Sequence, residues 1–135
     1  MFTRMRGTTA RKQKAQSRPP ITGEELAAMG DIEPCELVRG AIVRASPAYP
    51  AHGVVVANFT SELRAFVKPR GLGEVMSGEV GVYTRREPDT VRGGDVVFIS
   101  AERYARWKAE RRKGILDVAP ELVVEVFSCS PGAKK

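Results

Sequence analysis

Only two cysteines, Cys35 and Cys129, and a single histidine, His52, occur in the 135 residues. So few thiols exclude a disulfide-built scaffold, and one histidine beside two cysteines leaves a zinc ligand set incomplete. Long hydrophobic runs are missing too. No stretch approaches the ~18 consecutive apolar residues of a membrane span, which excludes a bilayer-crossing helix. Acidic residues are absent from the first 18 positions, where Arg4, Arg6, Arg11, Lys12, Lys14 and Arg18 stand. The whole chain has 22 Lys+Arg against 16 Asp+Glu, a formal charge of +6. Removing the six tail bases leaves 16 basic residues against the same 16 acids, so the remainder is neutral. A basic balance points to nucleic acid only where the charge decorates the folded part. Here it does not.

Residues 1–18 are rich in Thr, Gln, Ser and Lys, poor in apolar side chains, and run into Pro19-Pro20. Such a segment buries too little surface to offset its ordering entropy, which predicts a disordered tail. No apolar run follows its basic residues, which argues against a secretory signal and for a cytoplasmic protein. An organellar leader, a phosphate-attracting arm, a solvated extension without a role and a misplaced start codon are the competing readings. Residues 19–135 are then one domain, too short for two, with 42% hydrophobic residues across the chain to supply one core.

Thr22 and Glu25 have capping-box spacing and predict a short helix over 23–29, ended by Gly30. Cys35–Val38 and Ala41–Arg44 flank Arg39-Gly40 as a β-hairpin. From His52 to Val67 the residues Val55, Val56, Phe59, Leu63, Phe66 and Val67 recur at helical spacing, an amphipathic helix set on a sheet. Short strands are expected near 74–76, 81–84 and 95–99, a helix over about 101–112 with Ser100 as its cap, and a last strand over 122–128. This order predicts an α+β or mixed α/β fold.

Two predicted strands carry an acid where an apolar residue is expected. Glu125 lies within Leu-Val-Val-Glu-Val-Phe, and Asp95 opens Asp-Val-Val-Phe-Ile. A continuous apolar run suggests a strand covered on both faces, where an ionised carboxylate costs several kcal/mol unless it is paired or holds a metal. Glu36, at the start of the hairpin, is a third. Three carboxylates converging from separate elements make a hard oxygen site suited to Mg²⁺ or Mn²⁺. The plainer reading of each is a strand-end acid in a salt bridge, with Arg39 or Arg92 as partner. For Asp95, Gly93-Gly94 would then be a turn that exposes it.

The stretches Glu36-Leu37-Val38-Arg39-Gly40-Ala41-Ile42-Val43, Ser46-Pro47, His52-Gly53, Arg92 through Ser100 and Ala119-Pro120-Glu121-Leu122-Val123-Val124-Glu125-Val126-Phe127-Ser128 stand in this order. In them the chain resembles the Uma family of putative restriction endonucleases, similar to the PD-(D/E)XK nuclease superfamily. The resemblance implies a restriction-endonuclease-like central mixed sheet flanked by helices. It also implies DNA as substrate, and a divalent Mg or Mn ion held by Glu36, Asp95 and Glu125, with a lysine nearby to orient water or neutralise charge.

Two departures qualify the likeness. Gly94 stands where the family usually has proline. Phe127 stands two residues after Glu125, where the superfamily's simplest motif has lysine, and Lys134 or Lys135 at a fraying end is a poor substitute. The family's lysine-bearing helix and following strand lie beyond residue 135, so the sequence reads as C-terminally truncated. That implies an exposed edge at 122–128, open to self-association or to a completing partner chain. It also admits the alternative of a non-catalytic remnant, or of a nucleic-acid-binding module acting through its basic tail. Of the remaining signals, Gly71-Leu72-Gly73 lacks the context of a phosphate loop and reads as turns. His52 reads as a helix-start residue bonded locally. Lys108 and Arg111–Lys113 read as a solvated helix face over Tyr104 and Trp107. Cys35 and Cys129 read as free thiols.

Overall fold

A computed structural model describes residues 18–30, 32–110 and 114–127. The expectations for the basic tail up to residue 17, for Arg111–Lys113, and for Ser128, Cys129, Lys134 and Lys135 lie outside the described residues. Among those described, no helix is long and apolar enough to cross a membrane.

The capping box forms as its spacing predicts. Glu25 N–H donates to Thr22 Oγ1 (3.1 Å) and Thr22 N–H to a Glu25 carboxylate oxygen (2.7 Å), starting helix α1, Gly23–Ala28. Its Leu26 packs against Leu37 and Val91. Strands β1 (Cys35–Val38) and β2 (Ala41–Arg44) pair antiparallel around Arg39 and Gly40, at φ of 50° and 76°. Two successive positive φ values give the twist that a tight hairpin needs.

Helix α2 spans Pro50–Val67, with proline in its first turn, where no backbone N–H is missed. Its packed stripe is narrower than the sequence pattern suggests. Val56, Leu63 and Val67 pack with Val75, Val96, Phe98 and Val124, while Val55, Phe59 and Phe66 stay exposed.

The strands expected at 74–76 and 81–84 are two halves of one strand, β3, Gly73–Arg85. The next strand also starts earlier than expected: β4 runs Thr90–Ser100 and pairs antiparallel with β3 along its length. What hid the continuity is a bulge. Ser77 pairs with Val96 and Val80 with Gly94, so Gly78 and Glu79 together stand opposite Asp95. Ser100 then caps α3, Ala101–Ala109, whose Tyr104 and Trp107 cover Val82, Val97, Ile99 and Leu116. A final strand, β5, is only Leu122–Val124.

The five strands form an α+β sheet in the order β2-β1-β4-β3, with β5 also on β4. Among the described residues all ladders are antiparallel, and parallel pairing is confined to a single bridge between Val82 and Leu116. Helices flank it, with α2 over Val96 and Phe98 and α3 over Val97 and Ile99. Gly71-Leu72-Gly73 turns the chain from α2 into β3, as expected of turns, with φ of 62° at Gly71 and 155° at Gly73.

β3 occupies one edge of β4, so β1 and β5 share the other. β1 meets β4 at Val91 and β5 meets it at Val96–Phe98. Between these contacts, no strand among the described residues forms ladder pairs with residues 92–95 on that edge. The sheet is split there.

Candidate functional site

Asp95 lies at the split, 5% exposed and well inside β4. The reading of Gly93-Gly94 as a turn that exposes it does not hold, because both glycines pair with β3. A buried carboxylate needs donors, and two converge on its Oδ2: Val126 N–H at 2.7 Å and His52 Nε2 at 3.1 Å. With Asp95 as the acceptor, the tautomer of His52 that carries a proton on Nε2 is the donor. The local bond expected for His52 is thus replaced by one reaching 43 residues along the chain.

Glu36 fills the other half of the split. Its Oε1 accepts the N–H of Gly93 at 3.1 Å, and its Oε2 lies 2.5 Å from Arg92 Nη1. The side chain continues the pairing of β1 with β4 where the backbones have parted. Arg92 was one of the two partners named for it from the sequence; Arg92, not Arg39, is the one found.

Glu125 arrives by a different route than expected. β5 ends at Val124, so Glu125, Val126 and Phe127 are not strand, and Leu122, Val123 and Phe127 are 38%, 45% and 93% exposed. The inference of a strand covered on both faces is therefore corrected. Asp95 accepts the Val126 N–H just past the end of the β5 ladder, which ties the chain after β5 to the site. Glu125 is exposed but still senses the cluster: its carboxyl is pushed above the ordinary range, first by partial burial, then by the charges of Asp95, Glu79 and Glu36, with His52 opposing.

The fourth acid, Glu79, was missed from the sequence. It is the bulge residue, at φ 60°, and its carboxylate lies over Gly93, where an added Cβ would sit 2.4 Å from its Oε2. Partial burial leads in raising its pKa, followed by the charge of Asp95, a hydrogen bond to Asp95 and the charge of Glu36. A Gly-Glu pair interrupting a strand pattern was the available signal, since bulges commonly re-aim a side chain beside a site.

The three acids read from the sequence are thus brought within electrostatic reach of one another, and Glu79 joins them. Among the described residues no three His, Cys, Asp or Glu side chains already converge as a metal cage. The donor chemistry nonetheless fits a hard divalent cation: all four acids offer oxygen, and behind partial burial, mutual repulsion helps to raise Glu79 and Glu125, a repulsion that such an ion relieves.

This repulsion has a pH signature. An acid whose native pKa is raised binds more protons folded than unfolded between its two pKa values, so stability falls as pH rises through that window. Glu79→Gln should flatten this fall and leave the protein more stable than wild type above the window. Urea unfolding across a pH series checks this; equal slopes for variant and wild type would contradict it.

Comparison with known families now bears on these residues. A family model described as Uma2, putative restriction endonuclease, matches residues 24–134. The chain belongs to the Uma2 family. The match takes in β1, β4 and the segment after β5, and with them Glu36, Asp95 and Glu125. Comparison with curated proteins gives no match.

Proposed function

We propose that this Uma2 chain is a metal-dependent endonuclease that hydrolyses DNA phosphodiesters. Asp95 and Glu125 are its central acids and Glu36 the third, holding Mg²⁺ or Mn²⁺. What supports this reading is the split edge of β4, around which β1, β4 and the segment after β5 carry Glu36, Asp95 and Glu125 within electrostatic reach of one another, in a chain of this family.

A bound divalent ion would supply an activated water and charge stabilisation at the phosphate. The chain's own groups do the rest. Asp95 is held rigidly by its two donors, so its carboxylate need not be ordered when substrate arrives. Gly93 leaves room for the Glu79 carboxylate beside it. Arg92, half exposed and paired to Glu36, is a guanidinium at the site's rim. Its planar donors match a phosphate diester oxygen as well as they match a carboxylate. Phe127 occupies the simplest-motif lysine position but is 93% exposed, so its side chain contributes nothing to the acids.

The test is cleavage of supercoiled plasmid by the purified full chain. Nicked or linear product should form with Mg²⁺ or Mn²⁺, disappear with excess EDTA, and return when the metal is restored. Absence of product with either metal, or cleavage indifferent to EDTA, would refute the proposal.

A further inference from the structure

We infer that His52 is a positioning residue for Asp95: its ring N–H fixes the Asp95 carboxylate and, through it, the backbone that carries Glu125. The metal arm of this inference rests on the function proposed above; the geometric arm does not.

His52 lies in the first turn of α2 at a spacing of four residues before Val56, with Leu63 and Val67 continuing the same side of the helix. Those three residues are the ones that pack against the sheet. The histidine therefore occupies a position on the packed stripe where an apolar residue would be the ordinary choice. Packing of α2, rather than any local bond, delivers the ring to β4. Its side chain is 13% exposed and that of Asp95 6%, so water does little of the work of solvating the carboxylate.

The second part of the geometry is the choice of oxygen. His52 and the Val126 N–H both address Oδ2, from elements 43 and 31 residues away. Oδ1 receives neither of these donors, and two anchors on one oxygen set the rotation of the carboxylate plane. Removing the ring leaves the Val126 N–H as the remaining backbone anchor beside the hydrogen bond with Glu79, and that N–H is also what ties residues 125–127 to Asp95. His52 thus acts on two of the proposed acids at once, without touching a ligand or substrate. Partners of this kind, which orient a metal-binding carboxylate, change metal affinity or activity by about 10- to 100-fold when removed.

The experiment uses the full chain and the variants His52→Ala, His52→Gln and Asp95→Ala. Each is first checked for cooperative urea unfolding. If the alanine variant does not unfold cooperatively, His52→Leu takes its place, filling the stripe without a donor. Without metal, the Val126 amide proton is followed by ¹⁵N-edited NMR. In His52→Ala it should move from its wild-type position toward that of Asp95→Ala, which has no acceptor for it, and in His52→Gln, which keeps a side-chain N–H, it should move back. With metal, Mn²⁺ titration should show binding weakened about tenfold or more in His52→Ala and largely restored in His52→Gln. A Val126 resonance in His52→Ala that coincides with wild type would overturn the inference, as would a glutamine variant no closer to wild type than alanine. If the wild-type chain binds no Mn²⁺, the metal reading fails, and the amide comparison alone decides whether His52 positions Asp95.

Discussion

Asp95→Asn is expected to lower metal-dependent DNA cleavage by roughly a hundred- to a thousandfold while the fold persists. Metal-borne stabilisation of developing charge is worth several kcal/mol, and each 1.36 kcal/mol is about tenfold in rate. Asparagine keeps the volume of the side chain and an oxygen to accept the Val126 N–H, but loses the charge. Partial burial leads in raising Glu79 and Glu125, but the repulsion that adds to it loses its main charged contributor, Asp95. Loss of activity should therefore come without loss of stability, and at neutral pH the variant should resist urea at least as well as wild type. Rates on supercoiled plasmid and urea midpoints measure the two halves separately. A variant that loses activity only because it unfolds would assign Asp95 to the scaffold instead.

Leu37→Ala has the largest expected effect on stability, about 3 kcal/mol within a range of roughly 2–5 for a truncated core leucine. Leu37 is fully buried at 0% exposure, where Leu26 of α1 and Val91 of β4 meet it. It is also the residue through which β1 is registered on β4. A loss of that size is a large fraction of the ~5–15 kcal/mol that holds a domain together. Its neighbour Glu36 depends on the same strand, so a loosened β1 should also release Gly93 and Arg92. Val123→Ala, at a residue 45% exposed, is the control, and should cost no more than about 0.5 kcal/mol. Urea midpoints give both numbers. Similar midpoints for the two variants would mean that the β1–β4 junction is not where the core is anchored.

The features legible in the sequence were local or chemically conspicuous. Thr22 and Glu25 satisfy one another's backbone donors, and Arg39-Gly40 tolerates the positive φ values of a tight turn, so helix α1 and the first hairpin emerge where expected. Glu36 and Asp95 stood out because acids among apolar strand residues need partners, and both have them. Glu125 stood out for a reason that does not hold: it lies beyond β5, and what draws it to the site is the neighbouring Val126 N–H. The rest was non-local. A bulge looks like a gap between strands when only one chain segment is seen, so β3 read as two pieces and Glu79 went unnoticed. The partner of His52 is set by how α2 lies on β4, which helical periodicity does not encode. For the same reason Val55, Phe59 and Phe66 carry the right spacing for a buried stripe and yet remain outside it.

Whether the split edge of β4 is a nuclease site is decided by one side-by-side assay. Wild type, Asp95→Ala and Glu125→Ala are incubated with supercoiled plasmid and Mn²⁺ at equal concentrations of folded protein. Cleavage by wild type, with little or none by either variant, is the expected result. Equal cleavage by all three would contradict it.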